Sequence, residues 1–573
     1  MAVLNADDRI ERATALSGWP VLCFLAGTVQ QYDRVPGAGG KPLRNDAVSS
    51  SPSRASGTQV LAVASPRESI VVGVSGGRRN PAAAVALDGR LLAFCEQERL
   101  TRIRGGGLRD GGVPHEAIDA VLRCAGHAPA GVAAYVTAEE GMALSADLPR
   151  VRLDHHYGHA ATAYLTSPFD RAAILVCDQH SSQGTSVWVG HGGEVFNQHW
   201  PMVGEGFASL FAQCCEIFNL KPDQEDRLEA LARIGRPSDA DVEWMTQLIS
   251  YRDGTVSARP GWKRAVSEWL FDDGPTWSLA HGARVAATFQ TVMGNALVSL
   301  VASIRRSLNV SDLCLGGGLF YNTFFNTRIA QCGSFERLFV PPNPGNAGIA
   351  AGAALSVAGP SSGPRGEVAS AFLGPEYDAA EIKGTLDNCK LTYEYLSDGE
   401  IVRTCVDALM AGRKVGWFQG RMEWGHRALG NRSILANPMC PDVLDNLNVF
   451  LKQRDKHRAY GLSVCEEDCG QYFAGPGRSQ WMEYDYTVTD PVQFRHVMPA
   501  GASTLRVQTV DRGLPLFRAL HQAFKAATGI GALVNTSFNG FSEPIVCSPR
   551  DAIRVFYGTG LDMLVIGRFV IRK

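Results

Sequence analysis

Residues 416–438 read GWFQGRMEWGHRALGNRSILANP and join a short apolar strand pattern to a segment rich in glycine and arginine. Residues 414–418 predict a β-strand. Three glycines follow it, Gly420, Gly425 and Gly430. Glycine lets backbone N–H groups approach a ligand closely, and the guanidinium of arginine binds phosphate through paired hydrogen bonds. The stretch therefore predicts an anion site within an α/β fold.

More basic residues follow in a chain that carries no net positive charge. The set comprises Arg421, Arg427, Arg432, Lys452, Arg454, Lys456, Arg458 and, after a gap, Arg506. A substrate with several phosphates would need several such groups converging. Taken alone, residues 452–458 (KQRDKHR) also fit a solvated basic helix face.

Residues 534–539 (VNTSFN) follow an apolar run. Asn535 and Ser537 are therefore expected at a strand end, where α/β proteins usually bind ligands. An Asx or Ser turn would give the same pattern.

The remaining chain reads as two α/β domains. Strands are predicted at 69–75, 82–87, 90–96, 132–136, 172–177, 186–190 and 312–315, with helices at 283–308 and 398–410. The Gly-, Ser- and Pro-rich segment 359–366 marks a boundary. We therefore divide the chain into a partly disordered extension (1–68), a first domain (69–358), a linker (359–367) and a second domain (368–573).

Composition excludes several classes of protein. The chain has 573 residues, 45% hydrophobic and 20% charged, which is typical of a globular protein. Its 55 Lys and Arg against 57 Asp and Glu leave a net charge of -2, so neither nucleic acid nor a membrane is expected as a partner. The 14 scattered cysteines favour a reducing, cytoplasmic location.

A second group of candidate residues lies in residues 153–164, LDHHYGHAATAY. His155 and His159 are four positions apart and share one helical face, and Asp178 ends the apolar strand pattern ILVCD. Two imidazoles and a carboxylate suit Fe²⁺ or Zn²⁺. The alternative is that the histidines only form hydrogen bonds at a helix start and that the aspartate is a cap.

Four ordered motifs together resemble the O-carbamoyltransferases of nodulation and antibiotic biosynthesis. They are the opening stretch, LKQRDKHRAYG (451–461), LRVQTV (505–510) and LVNTSFNGFSEPIVCSPRDAIRVF (533–556). The resemblance implies an α/β protein with an actin-like, sugar-kinase-like N-terminal domain and a YrdC-like C-terminal domain. It also implies that ATP, with Mg²⁺, and carbamoyl phosphate form carbamoyl adenylate, whose carbamoyl group passes to a hydroxyl or amine of a small natural product.

The same resemblance implies roles for individual residues. Those expected to act on the anionic substrates are Arg427, Lys452, Arg458 and Arg506, with Arg421, Asn535 and Ser537 as substrate contacts. The glycine turn Gly316, Gly317 and Gly318 with Asn322, in DLCLGGGLFYNTFFN (312–326), is expected to bind the adenylate. Iron is expected on His155, His159 and Asp178, with Asn346 as a weak fourth ligand.

Several positions depart from the family pattern. Asn346 stands where the family has aspartate, RNPAAA (79–84) replaces a motif whose histidine is thought to help deprotonate the acceptor, and Arg227 replaces a lysine. His426 and residues 459–461 also differ from the family. The segment EQERLTR (96–102) is either structural or directed at the acceptor.

Other functions remain open at this stage. The altered N-terminal positions would also suit an adenylate-forming enzyme that makes an amide or a ring. The first domain could instead be a degenerate binding module, or the protein could modify tRNA like its threonylcarbamoyl relatives, which the near-zero net charge disfavours.

Overall fold

The computed structural model describes residues 70–573 except 78, 109–111, 140–141, 143–148, 180–183, 201–205, 223, 253, 273 and 360–369. The predicted extension and nearly all of the predicted linker lie outside the described residues, so the domain boundary stays a prediction. Within the described residues the chain folds into mixed α/β layers, as the sequence predicts.

The first sheet has five strands in the order β3-β2-β1-β4-β5. The strands are β1 (Ile70–Ser75), β2 (Ala82–Leu87), β3 (Arg90–Glu96), β4 (Val132–Thr137) and β5 (Arg150–Arg152). Strands β1 to β3 are antiparallel, whereas β1, β4 and β5 are parallel. The tight turn between β2 and β3 uses Asp88 and Gly89, both with positive φ, which is the backbone that a two-residue hairpin requires.

The second sheet repeats this arrangement in the order β12-β11-β6-β7-β8. Its strands are β6 (Arg171–Cys177), β7 (Thr185–His191), β8 (Glu194–Asn197), β11 (Asp312–Gly316) and β12 (Arg337–Phe339), while β9 (Ile249–Arg252) and β10 (Thr255–Ala258) form a separate hairpin. Three antiparallel strands are again followed by two parallel ones. This duplicated topology agrees with the expected actin-like half.

Among the described residues, ten helices surround these two sheets. They are α1 (Gln97–Thr101), α2 (His115–Cys124), α3 (His155–Leu165), α4 (Phe207–Ile217), α5 (Glu225–Ile234), α6 (Asp239–Leu248), α7 (Trp262–Leu270), α8 (Leu279–Leu308), α9 (Thr323–Gln331) and α10 (Ile349–Val357). In the described ranges, α8 alone is long and apolar enough to cross a membrane. Most of its apolar stretch is buried against the second sheet, which is typical of a core helix.

The C-terminal part contains one ten-stranded mixed sheet in the order β13-β22-β21-β14-β15-β20-β16-β19-β18-β17. Its strands are β13 (Glu394–Tyr395), β14 (Val415–Phe418), β15 (Arg432–Ala436), β16 (Gly461–Cys465), β17 (Phe473–Ala474), β18 (Asp485–Val488), β19 (Thr504–Val510), β20 (Ala532–Ser537), β21 (Met563–Ile566) and β22 (Phe569–Arg572). Its helices are α11 (Ala379–Asn388), α12 (Asp398–Met410), α13 (Val443–Asp445), α14 (Cys469–Tyr472), α15 (Pro515–Thr528) and α16 (Pro549–Gly558).

The two parts share apolar cores, and the described residues belong to one compact unit. Trp424, from residues 416–438, is buried in the core of the first sheet with its ring centroid 4.7 Å from that of Phe94. Leu429 and Trp481 join a second shared core beside Tyr164. Burial of large apolar side chains across this boundary stabilises the relative position of the two parts.

Candidate functional site

The predicted metal ligands converge at the start of α3. Ligand atoms of His155, His159 and Asp178 all lie within 4.8 Å of one another. The nearest approach is 3.1 Å between His155 Nε2 and Asp178 Oδ2, and His159 Nε2 lies 3.8 Å from Asp178 Oδ1. The four-residue spacing on one helix and the strand end after β6 produce this cluster, as the sequence predicts.

The surrounding atoms fit a metal ion. His159 Nδ1 bonds to the carbonyl of Pro344 at 3.0 Å, so Nε2 carries the free lone pair. That Nε2 is buried and has no hydrogen-bond partner, and the same holds for Oδ1 of Asn346. Orphaned buried polar atoms are costly unless a ligand satisfies them. A divalent metal held by His155, His159 and Asp178 would satisfy His159 Nε2, so these three residues fit the iron or zinc that the sequence implied.

The predicted glycine turn lies directly against this cluster. Gly317 has φ +100°, and a Cβ there would lie 2.1 Å from the carbonyl oxygen of Cys177. A Cβ on Gly318 would lie 3.5 Å from Asp178 Oδ1. The turn therefore brings backbone close to the metal ligands, and only glycine fits at Gly317. Asn322 instead caps α9 and donates to Gln290, so its predicted adenylate contact has no support from this geometry.

The C-terminal cations form a second cluster. Arg427 has a buried Nε without a hydrogen-bond partner, while its Nη2 donates to the carbonyl of Tyr321 at 3.3 Å. Burial, and next the positive charge of Arg506, lower the pKa of Arg427 to about 9. The cation is therefore held in a site whose charge is incompletely balanced, and such a site stabilises a bound anion.

Lys452 occupies the strand end predicted from VNTSFN. Its Nζ donates to the Ser537 carbonyl at 2.5 Å and to Oδ1 and the carbonyl of Asn539 at 2.5 and 3.0 Å. Burial, and next the positive charge of Arg454, hold the pKa of Lys452 well below its usual value. A π-helical turn, Asn446–Leu451, precedes the lysine, and such irregular turns often occur at functional sites.

Helix α5 of the N-terminal part supplies the acids that face these cations. Arg458 is paired with Asp226, and Arg506 Nη1 lies 3.6 Å from Glu229 Oε1. The side chain of Arg227 forms two 3.1 Å hydrogen bonds to Asp455. The anion site is thus built across the boundary between the two parts.

A narrow crevice lies beside Arg427. It is lined by Tyr321, Pro344, His426, Arg427 and Glu483, among others. Pro344 is the residue whose carbonyl orients His159, and Arg427 belongs to the cation cluster. The crevice therefore lies between Arg427 and the residue that orients His159.

Two predicted substrate contacts have other roles in this geometry. Arg421 donates to the carbonyls of Gly374, Leu92 and Leu373, so its guanidinium joins chain segments rather than facing the cation cluster. Asn535 is buried in β20 and donates to Gln508, with its Oδ1 unpartnered.

Sequence reasoning missed the partners on the N-terminal side. Four such residues contact the two clusters or residues bonded to them. They are Glu229 and Arg233 on α5, Asn343 in the loop after β12, and Tyr321 after the glycine turn. Two signals were available: Tyr321 lies within the segment 312–326, and the motif at 96–102 pairs acidic and basic residues beside a strand end.

Both clusters lie in regions that match known family models. A model described as "Carbamoyltransferase N-terminus" matches residues 141–355, and "Carbamoyltransferase C-terminus" matches residues 406–573. The chain belongs to the carbamoyltransferase family. The first match contains His155, His159 and Asp178, and the second contains Lys452 and the arginine cluster, so each half of this family member carries one of the two sites.

Three relatives illustrate the range of the family. An uncharacterized protein of Synechocystis sp. is 29% identical over 88% of this chain and 96% of its own length. Nodulation protein NolO of Bradyrhizobium diazoefficiens is 30% identical over 74% of this chain and 79% of its own. The 3'-hydroxymethylcephem-O-carbamoyltransferase of Amycolatopsis lactamdurans is 30% identical over 61% of this chain and 65% of its own. The family membership makes this chain a transferase of carbamoyl groups.

Proposed function

We propose that this carbamoyltransferase forms carbamoyl adenylate from ATP and carbamoyl phosphate at the arginine cluster and transfers the carbamoyl group to a hydroxyl, or an amine, of a small secondary metabolite. The observation that carries the proposal is the set of partly buried cations, Arg427, Arg458 and Arg506 with Lys452, inside the region matched by the C-terminal family model.

The activating step brings two polyanions together, so their repulsion must be neutralised. Water cleaves carbamoyl phosphate to carbamate and phosphate, and a carbamate oxygen then attacks the α-phosphorus of ATP, which releases pyrophosphate. Guanidinium groups at fixed positions stabilise the charge that develops on the phosphoryl oxygens. Arg427 suits this role because its buried Nε has no protein partner. We expect Mg²⁺ to accompany ATP, as is usual for phosphoryl substrates.

The transfer step follows in the N-terminal half. The acceptor oxygen attacks the carbamoyl carbon and loses its proton, and AMP leaves. His155, His159 and Asp178, with Asn346, would hold Fe²⁺ or Zn²⁺, and such a cation would supply Lewis-acid polarisation of a bound oxygen. Enclosure between the two parts would keep the adenylate away from water, in which it hydrolyses. A hydroxyl acceptor is favoured because the cephem relatives are named O-carbamoyltransferases.

A reducing, cytoplasmic location completes the proposal. Each cysteine in the described ranges carries a free thiol, which agrees with a compartment where thiols stay reduced.

The activating step is tested by pyrophosphate release from ATP and carbamoyl phosphate. We expect Arg458→Ala to lower the rate by roughly 100-fold or more, the usual cost of removing one preorganised donor. Arg478→Ala is the matched control, because Arg478 pairs with Glu466 on the surface and lies outside the cation cluster. A wild-type chain that releases no pyrophosphate, or an Arg458→Ala variant with the wild-type rate, would refute the proposal.

A further inference from the structure

The segment 96–102 ties β3 to the C-terminal loop that carries Arg427. Arg99 is 4% exposed and donates from Nε to Glu96 at 2.5 Å and from Nη2 to the carbonyl of Gly425 at 2.8 Å. Gly425 has φ +121°, and a Cβ there would lie 2.5 Å from the carbonyl oxygen of Pro342. The loop before Arg427 is therefore held tightly against the loop before Pro344.

Asn343 continues this buried network toward the metal ligands. It is 1% exposed, donates from Nδ2 to Glu96 Oε1 at 2.9 Å, and accepts at Oδ1 from the hydroxyl of Tyr321. The next residue, Pro344, accepts hydrogen bonds from His159 Nδ1 at 3.0 Å and from the Gly317 amide at 2.8 Å. Movement of Asn343 would therefore move the carbonyl that orients His159.

Tyr321 reaches the other cluster. Its carbonyl accepts from Arg427 at 3.3 Å, and its ring packs edge-on against His426 with centroids 4.2 Å apart. Tyr321 thus contacts Arg427 through its backbone carbonyl, and through its hydroxyl it contacts Asn343 in the loop that orients His159. An anion that draws the Arg427 guanidinium toward itself would weaken the bond to the Tyr321 carbonyl.

We propose that Tyr321 and Asn343 are positioning residues that couple nucleotide binding at Arg427 to the orientation of His159 in the metal site. The inference rests on the proposed function, because it takes ATP as the anion at Arg427. Coupling of this kind is a free energy shared by two sites, so a ligand at one site must alter the other. Such coupling would prepare the transfer site only when the activating site is filled.

The test uses Co²⁺ as a spectroscopic probe of the His155, His159 and Asp178 site in the full-length protein. Cobalt is loaded, excess metal is removed, and ATP is added with excess Mg²⁺ so that the nucleotide does not extract the cobalt. We expect ATP to change the visible absorption of the bound cobalt in the wild type. In Tyr321→Phe that change should fall at least threefold, while calorimetry on the metal-free protein gives an ATP dissociation constant within twofold of the wild type.

Tyr486→Phe is the matched control, because it also removes one tyrosine hydroxyl, but one that is bonded to the backbone carbonyl of Gly477 rather than to Asn343. It should keep the full absorption change. Asn343→Ala should lose the change, as Tyr321→Phe does, but the test does not depend on that variant folding. An undiminished change in Tyr321→Phe, or no change in a wild type that binds ATP, would overturn the inference. Lack of ATP binding or of pyrophosphate release would instead overturn the proposed function.

Discussion

The three histidines of α3 differ in what their second ring nitrogen contacts. His159 Nδ1 is bonded to a backbone carbonyl and its Nε2 faces Asp178, whereas His156 Nδ1 is bonded to Ser186 at 2.6 Å. Burial lowers the pKa of His159 to about 3 and that of His156 to about 4. Both rings are therefore neutral at neutral pH, but only His159 directs a free lone pair at the carboxylate. Metal binding requires such a deprotonated nitrogen.

We predict that His159→Ala lowers the affinity for Zn²⁺ or Fe²⁺ by more than about 100-fold, because loss of a direct ligand exceeds the 10- to 100-fold cost of losing a supporting contact. His156→Ala is the matched control. It also removes a buried histidine of α3, but one bonded to Ser186, so it should retain metal. Metal content after dialysis, measured by elemental analysis, distinguishes the two variants. Equal metal content in His159→Ala and the wild type would exclude this site.

At the scale of single elements, strand ends and glycine turns create the transfer site. Strand β6 ends at Cys177, so Asp178 leaves the sheet beside the turn that follows β11. Gly317 passes so close to the Cys177 carbonyl that the two strand ends meet without room for a side chain. The position of Asp178 therefore depends on a turn more than 130 residues later in the chain.

We predict that Gly317→Ala destabilises the fold by more than about 2 kcal/mol, since it combines a steric clash with an unfavourable positive φ. Gly333→Ala is the control: its φ is +68°, but a Cβ there meets nothing within 4 Å, so it should cost only about 1 kcal/mol. Urea unfolding measures both. A cost for Gly317→Ala no greater than that for Gly333→Ala would show that the turn is not constrained as described.

The sequence predicts the local elements well and their long-range contacts poorly. The predicted strands 82–87 and 90–96 and the helix 398–410 match β2, β3 and α12 to the residue, because each has an uninterrupted apolar pattern and a clear turn or cap. The spacing of His155 and His159 likewise predicts one helical face. By contrast, nothing local to Arg421 indicates that three carbonyls use its guanidinium, or that Glu229 faces Arg506. Such partners depend on how the two parts pack.

At the scale of the whole molecule, a buried polar group centred on Arg233 joins the two parts. Arg233 on α5 has a side chain only 6% exposed and pairs with Glu229 at 2.9 Å and with Asp485 of β18 at 2.8 Å. The hydroxyl of Thr323 lies within hydrogen-bond distance of both carboxylates, 2.9 Å from Glu229 Oε1 and 2.7 Å from Asp485 Oδ1. The same Glu229 faces Arg506, so this group also supports the anion site.

We predict that Arg233→Ala destabilises the protein by about 3–5 kcal/mol, because it removes the cation nearest to two buried carboxylates. Arg227→Ala breaks another ion pair between the same parts, with Asp455, but that pair is 38% and 31% exposed. Water screens such a pair, so its loss should cost no more than about 1 kcal/mol. Equilibrium unfolding in urea gives both values, and similar costs for the two variants would show that Arg233 does not hold the parts together. If Arg233 holds the two parts together, Arg233→Ala should also slow pyrophosphate release, because Arg506 and Glu229 would lose their fixed positions.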